Sequence, residues 1–221
     1  MNSRVVLTGT DSNLLLDMQA ELQKLGAQVT VCTEQIDRAY NHTHHPAPDG
    51  LQQFRTMQTE FTHAETSMGG FDTLVNVGII RHVPRMQWVS AAQWHSAIAA
   101  LTGTVGLRCA TVLPFLQRQQ GTKRIINLWL PSDVSTSDDQ FDVQTDDVQL
   151  LSAHTQQLAT AYAANDIQVL SLMFHQPTHH KYQQIPVWVR FFVSEPAITA
   201  NGSMFRLGLV PVHRGDMQTT A

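Results

Sequence analysis

The sequence is poor in cysteine and in charged residues, and both shortages argue against whole classes of protein. Cys32 and Cys109 are the only two cysteines, and each lies inside an apolar segment. A disulfide framework is therefore not expected, and we interpret both side chains as buried thiols in a reducing compartment. Charged residues make up 14% of the chain, the formal net charge is −4, and no basic cluster exceeds the pair Lys123 and Arg124. This pattern argues against broad electrostatic binding to nucleic acid or to an anionic membrane.

The sequence also lacks long apolar runs. No uninterrupted run approaches the roughly 20 residues that a membrane helix needs. The first strand is reached by Val5, with no apolar signal region before it. We therefore expect a cytoplasmic protein that does not bind membranes. The 221 residues, of which 43% are hydrophobic, suit one large domain over residues 1–221.

Apolar runs typical of strands alternate with segments of helical periodicity. Strands are predicted at 4–7, 29–32, 71–77, 124–130, 167–174 and 203–210, and helices at 11–25, 51–67, 90–118, 146–164 and 186–194. Because most strands are apolar along their whole length, both faces of the sheet should be covered. The sequence therefore predicts an α/β fold: a Rossmann-like, doubly wound parallel sheet of about six to seven strands with helices on both faces.

The strand at 71–77 runs into Asn76-Val77-Gly78, the kind of strand end at which an α/β sheet presents backbone to a ligand. This end resembles the Asn-Asn-Ala-Gly strand of the short-chain dehydrogenase/reductase family, shortened by one residue. Other segments follow in that family's order: Thr8-Gly9, Gly26-Ala27-Gln28-Val29, Ile125-Ile126-Asn127, Asn165-Asp166-Ile167-Gln168-Val169 and Phe191-Phe192-Val193-Ser194-Glu195-Pro196-Ala197. Their order and spacing cover nearly the whole chain, which therefore resembles a degenerate member of the family. The resemblance implies one more strand within 38–50, where two prolines and a glycine make it short or absent.

The resemblance implies a dinucleotide site at the strand ends, formed by Thr8, Gly9, Asn76 and Gly78. The family's loop continues with two further glycines, which let backbone approach the pyrophosphate, whereas this chain has Asn13 and Leu15 there. Leu15 either narrows the path to the pyrophosphate or simply packs the helix onto the sheet, and we favour packing.

The acidic residue that usually grips the cofactor's ribose falls near Thr33, with Glu34 next to it. Glu34 is able to replace it, although an exposed glutamate is the simpler interpretation. Because the loop and the ribose position both depart from the family, we expect no cofactor, with NAD or NADP as the alternative.

The family's catalytic Ser, Tyr and Lys fall on residues that cannot do their chemistry. The tyrosine position falls at Gln144, the lysine position at Val148 and the serine position near Leu130. Neither a proton donor of suitable pKa nor a charged group is available at these positions. The segment from His175 to Ile185 is also too short for the family's usual substrate lid, which excludes water. No catalytic residue is therefore assigned.

Two other groups of residues remain as weaker candidates. The exposed pair Lys181-Tyr182 is able to supply a replacement acid from the shortened lid, although a surface loop is the simpler interpretation. The histidines at 42–45 and 179–180 have no cysteine or carboxylate at ligand spacing, so no metal site is expected.

Two functions from different classes follow from these departures. The preferred one is a non-catalytic binding or regulatory protein on a dehydrogenase scaffold, and the alternative is an NAD(P)-dependent oxidoreductase with a divergent active site. The family's usual pairing of helices also suggests a homodimer through 90–118 and 146–164. Ala97, Ala100, Gly103 and Ala110 on the first helix, with Leu151, His154, Leu158 and Tyr162 on the second, are the predicted contacts.

Overall fold

The structure is a computed structural model that describes residues 3–9, 12–33, 50–80, 91–131, 145–175, 184–194 and 201–208. Its strands are β1 (Arg4–Gly9), β2 (Gln28–Thr33), β3 (Thr73–Ile80), β4 (Lys123–Pro131), β5 (Ile167–His175) and β6 (Met204–Gly208). Its helices are α1 (Ser12–Gln23), α2 (Gly50–Met68), α3 (Ala91–Gln117), α4 (Thr145–Tyr162) and α5 (Ile185–Ser194), and a 3-10 turn at Ala163–Asn165 follows α4. No helix in these described ranges is long and apolar enough to cross a membrane.

The six strands form one parallel sheet in the order β2-β1-β3-β4-β5-β6. The chain passes from β1 to β2 on one side, and β3 pairs with β1 on the other side. The sheet is therefore doubly wound, and its switch point lies between β1 and β3. The predicted fold class is confirmed, while the strand expected within 38–50 lies outside the described residues.

Each face of the sheet carries its own buried cluster of apolar side chains. One face packs against α2, α3 and α4, and its largest buried side chains include Phe61, Phe71, Leu116, Trp129 and Met173. The other face packs against α1 and α5, with Leu7, Leu15, Leu128, Phe174 and Phe192 among its buried residues. Because consecutive strand residues point to opposite faces, a strand buried on both sides is apolar throughout.

Two helix ends agree with the sequence prediction. Gly26 follows α1 with a φ of 78°, a conformation that glycine adopts without strain, so the predicted helix end is confirmed. Helix α3 runs through Pro114 to Gln117, within the range 90–118 that the sequence predicts for it. Phe115 and Leu116 are buried against the core, so tertiary packing outweighs the local cost of the proline.

The residues that the sequence suggested for a dimer contact on α4 are placed differently by the structure. Leu151 and Tyr162 are buried in the core of their own chain, and Leu158 packs against the same cluster. Leu151 and Tyr162 therefore cannot form the predicted interhelical surface, whereas Leu158 is only partly buried. The prediction was wrong for Leu151 and Tyr162, and the homodimer itself stays a prediction.

Arg124 fastens the last turn of α5 to the sheet. Its guanidinium is buried and donates from Nη1 to the carbonyl oxygens of Phe192 at 3.2 Å and Val193 at 2.9 Å. Its Nε also donates to the Gln168 side chain at 3.3 Å. Carbonyls in a last helical turn lack partners within the helix, and that end carries a partial negative charge. The buried Arg124 cation therefore supplies hydrogen-bond donors to these carbonyls and a positive charge at the negative end of the helix.

We expect the substitution Arg124→Met to lower the free energy of unfolding by about 2–3 kcal/mol, since it removes charged hydrogen bonds from buried carbonyls. The matched control is Arg118→Met. Arg118 forms a half-exposed ion pair with Glu65 at 2.8 Å, worth roughly 0–1 kcal/mol. Urea unfolding followed by circular dichroism measures both variants. Equal losses for the two substitutions would contradict the role given to Arg124.

Candidate functional site

The carboxyl ends of β1 and β3 meet at the switch point of the sheet, where open α/β sheets bind ligands. Thr8 pairs with Asn76 in the register of these strands, and Gly78 lies two residues further along β3. The structure therefore brings together Thr8, Gly9, Asn76 and Gly78, the four residues predicted to hold a dinucleotide. Whether they hold one stays a prediction.

Gly9 is required for the close approach of β1 to β3. A Cβ atom added at Gly9 would lie 2.8 Å from the Cβ of Val77 and 3.1 Å from its carbonyl oxygen. Contacts this short do not occur without movement of the backbone. Packing at the switch point thus explains this glycine without any cofactor.

We expect Gly9→Ala to lower the free energy of unfolding by about 1–3 kcal/mol, because it overpacks the contact with Val77. Gly106→Ala is the matched control, since the nearest atom to the added Cβ is His154 Cε1 at 3.8 Å, an ordinary van der Waals contact. There the substitution should raise stability by up to about 1 kcal/mol through helix propensity. Thermal unfolding of both variants tests the pair, and a neutral Gly9→Ala would contradict the packing argument.

The side chains of Thr8 and Asn76 are consumed by hydrogen bonds inside the protein. Thr8 Oγ1 donates to Asn76 Oδ1 at 2.9 Å, and Asn76 Nδ2 donates to Asn127 Oδ1 at 2.9 Å. All three residues are buried and face α3, from which the Cys109 sulfur approaches Asn76 Nδ2 at 3.5 Å. Neither Thr8 nor Asn76 presents its side chain to a ligand in this arrangement. These positions can offer a cofactor only backbone groups.

The polar row continues across the sheet to β5. Ser171 is the register partner of Asn127, and its hydroxyl oxygen lies 2.7 Å from Thr155 Oγ1 of α4. Sequence reasoning missed Ser171 and Thr155. A signal was present, however, because Thr8, Asn76, Asn127 and Ser171 are each a single polar residue among apolar neighbours in a strand. Isolated polar residues in strands buried on both faces need partners, and adjacent strands are the nearest source.

The two cysteines are chemically quiet in this fold. Burial raises the pKa of the Cys109 thiol from 9.0 to about 12, and burial together with the charge of Glu60 raises that of Cys32 to about 12. Both thiols are therefore protonated at neutral pH and poor nucleophiles. Because the unfolded chain loses these protons first, their burial should reduce stability as the pH rises from about 9 to about 12.

We expect both thiols of the native protein to react with Ellman's reagent at least about a hundredfold more slowly than in denaturant at the same pH. Little thiolate forms at this pH, and burial keeps the reagent away from both sulfur atoms. Absorbance at the reagent's product band gives the rate. A fast phase equal to one thiol in the native protein would contradict the buried placement of Cys32 or Cys109.

The positions that correspond to the family's catalytic residues do not converge. Leu130 is buried on the face that packs against α1 and α5, whereas Val148 of α4 packs partly buried against the opposite face. Helix α4 contains no lysine, and its one tyrosine is Tyr162. Tyr162 lies in the last turn, next to the start of β5, and so at the opposite edge of the sheet from the switch point. Burial, and at high pH repulsion by the Cys109 thiolate, raise the pKa of Tyr162 to about 12, which makes it a weaker acid still.

Leu15, Asn13 and Thr33 stand where the family has its loop glycines and its ribose-binding acidic residue. Leu15 is fully buried in the cluster beneath α1, so the packing interpretation is confirmed and its side chain does not stand in the path of a pyrophosphate. Asn13 is exposed on α1, and Thr33 is exposed at the end of β2. The bulk of Leu15 therefore gives no reason to expect weak or absent dinucleotide binding.

Several sequence candidates lie outside the described residues: Glu34, Gln144, Lys181, Tyr182 and the histidines at 42–45 and 179–180. Within the described part of the chain, no group of three or more His, Cys, Asp or Glu side chains is placed to hold a metal ion. A surface groove of about 340 Å³ lies between α4 and β6, lined by Val148, Gln149, Ser152, Ala153, Gln156, Met204 and Arg206. It is formed by a different part of the sheet from the switch point.

Searches against protein families and against curated proteins find no match for this chain. Solved structures do match over almost the full length. The chain is similar to an oxidoreductase of the short-chain dehydrogenase/reductase type from Brucella ovis, at 16% identity and a TM-score of 0.65, over 93% of this chain and 100% of that one. The chain has the fold of the short-chain dehydrogenases/reductases.

Two further structures support the assignment of this fold. The ligand-free aldohexose dehydrogenase of Thermoplasma acidophilum matches at 14% identity and a TM-score of 0.64, over 100% of this chain and 98% of that one. A Brucella ovis short-chain dehydrogenase/reductase in complex with a partially ordered NAD matches at 16% identity and a TM-score of 0.64, over 94% of this chain and 100% of that one. At such identities the similarity concerns the fold, and activity must be argued from the site.

Proposed function

We propose that this protein is a non-catalytic binding or regulatory protein built on the short-chain dehydrogenase fold. The observation that carries the proposal is the composition and placement of α4. The family resemblance requires a Tyr-x-x-x-Lys pair on this helix, and from Thr145 to Tyr162 the helix has no lysine and a tyrosine only at its far end. Hydride transfer to a carbonyl needs a proton donor within hydrogen-bond reach of the substrate oxygen.

The neighbouring positions do not compensate for this loss. Val148 has no charge and no hydrogen-bonding group with which to lower the pKa of an acid or hold a ribose. Leu130 is buried on the far face of the sheet, so a serine in its place would not point toward α4. We therefore assign no catalytic residue, and no cofactor is needed for the proposed role. The inward hydrogen bonds of Thr8 and Asn76 are consistent with this proposal.

The alternative is an NAD(P)-dependent oxidoreductase with a divergent site. One observation favours it, namely the structural similarity to the Brucella ovis protein in complex with a partially ordered NAD. In this version NAD or NADP rests on the backbone of Thr8, Gly9, Asn76 and Gly78, and Lys181-Tyr182 supplies the acid.

The two functions are separated by titration and turnover on the same preparation. We expect calorimetric titration with NAD⁺, NADH, NADP⁺ and NADPH to give dissociation constants above about 1 mM, corresponding to less than about 4 kcal/mol of binding. We also expect no NAD(P)H oxidation above background with a panel of ketones, aldehydes and quinones. An active short-chain dehydrogenase serves as the positive control in both assays.

The other possible results of the titration and turnover assays also distinguish the two functions. Micromolar binding without turnover would retain the non-catalytic role and give it a dinucleotide ligand. Robust turnover that is lost in Tyr182→Phe would establish the alternative and overturn the proposal. Turnover unchanged in Tyr182→Phe would also overturn the proposal, with the acid still to be located.

The remaining parts of the proposal concern assembly and location. We include in it a single domain over residues 1–221, a cytoplasmic location, and a homodimer through α3 and α4, with no nucleic acid or membrane partner. The exposed Gly103 and Ala110 on α3 support a close helix contact, whereas Leu151 and Tyr162 cannot take part.

A further inference from the structure

Among the described residues three buried side-chain nitrogens lack a hydrogen-bond partner, and besides His154 Nε2 of α4 these are two N–H groups on β4, Asn127 Nδ2 and Trp129 Nε1. Both residues are fully buried, and they lie two positions apart on the same face of the strand, beneath α3 and α4. Buried donors without a partner are rare in folded proteins, and two adjacent ones call for a common explanation.

The strand on one side of this pair has one polar side chain at these positions, and it is already hydrogen-bonded. Asn76 and Gly78 of β3 are the register partners of Asn127 and Trp129. The Asn76 amide is already bonded to Thr8 and to Asn127 Oδ1, and Gly78 has no side chain to fill the space beside the indole.

The strand on the other side does offer an acceptor. Ser171 of β5 is the register partner of Asn127 and is fully buried. The single hydroxyl hydrogen of Thr155 goes to the Leu151 carbonyl at 2.7 Å, so in the 2.7 Å contact between the two hydroxyls Ser171 is the donor. The lone pairs of Ser171 Oγ thus remain able to accept a hydrogen bond.

We propose that a single buried water molecule binds between β4 and β5, accepting hydrogen bonds from Asn127 Nδ2 and Trp129 Nε1 and donating one to Ser171 Oγ. Three partners is the usual number for a buried water. Cys109, Leu151 and Met173 belong to the same cluster as Trp129 and are fully buried and apolar or weakly polar, so this part of the core is isolated from solvent.

The proposed water completes a chain of hydrogen bonds that runs in one direction across four strands. Its donors follow in the order Thr8, Asn76, Asn127, water, Ser171 and Thr155, and it ends on the Leu151 carbonyl. Hydrogen bonds arranged in one direction polarise and strengthen one another. The water is therefore an integral part of the contact between the sheet and α4, independent of any catalytic or regulatory role.

Solution NMR of the ¹⁵N-labelled protein tests the site. Water-selective cross-relaxation should give cross-peaks from a long-lived water to the Trp129 indole proton and to the Asn127 side-chain amide protons. Trp129→Phe assigns the indole signal by its disappearance. Absence of water cross-peaks at both groups in the wild-type protein would overturn the proposal, as would cross-peaks there from a carbon-bound proton of a co-purified molecule.

A pair of serine variants supplies the matched control. Ser171→Ala removes the proposed acceptor and should weaken both cross-peaks by at least about twofold through faster release of the water. Ser194→Ala removes a hydroxyl whose hydrogen-bond partner within the described ranges is the Phe191 carbonyl in α5, and it should leave the cross-peaks unchanged. Cross-peaks unaffected by Ser171→Ala would overturn the assignment of Ser171.

If that variant does not fold, a high-resolution crystal structure of the wild-type protein decides. Electron density within hydrogen-bond distance of Asn127 Nδ2, Trp129 Nε1 and Ser171 Oγ supports the site, and its absence overturns it.

Discussion

The side-chain amide of Asn76 links three strands of the sheet with two hydrogen bonds. It accepts from Thr8 of β1 and donates to Asn127 of β4, both at 2.9 Å and both in the buried interior. Aspartate at this position would only accept when ionised, and leucine would do neither, so the amide is the group that suits both neighbours. A slip of one residue between β1 and β3 would turn the polar row onto the opposite face, among apolar side chains. The register at the switch point therefore depends on Asn76.

This internal use of polar side chains bears on the function of the strand ends. A dinucleotide site at a switch point combines exposed backbone with a few polar groups aimed at the ligand. Here the polar groups of β1 and β3 are aimed into the core, and the small residue Gly9 is explained by its contact with Val77. Three of the four residues that suggest a cofactor site from their sequence pattern, Thr8, Gly9 and Asn76, thus have a structural explanation. A fold shared with oxidoreductases is compatible with a protein that performs no redox chemistry.

Much of the fold was predictable because strands buried on both faces are apolar throughout. All six described strands lie within about three residues of their predicted positions, and Gly26 ends α1 as expected. The direction of Leu130 was also readable, since it stands three positions after Asn127 and so points to the opposite face. Which face of α4 packs against the sheet was not predictable from the sequence. Apolar residues at helical spacing mark a buried face, but they do not tell whether the sheet or a second subunit buries it.

Contacts between residues far apart in the sequence could not be predicted from local sequence patterns either. The bonds from Arg124 to the end of α5 join residues 68 and 69 positions apart, and nothing around Arg124 in sequence indicates that a helix terminus will meet it. The continuation of α3 past Pro114 lies within the predicted range 90–118, and burial of Phe115 and Leu116 is the packing that stabilises it.

The buried guanidinium of Arg124 also has a consequence for how the protein opens. A helix of ten residues near the C-terminus would ordinarily fray or detach at little cost, independently of the sheet. Detaching α5 would break the two hydrogen bonds that Arg124 donates to the Phe192 and Val193 carbonyls, and hydrogen bonds from a charged donor are worth about 1.5–3 kcal/mol each. We therefore expect α5 to belong to the same cooperative unfolding unit as the central strands. Its exposed outer face, with Val187 and Phe191, is then presented on a rigid support.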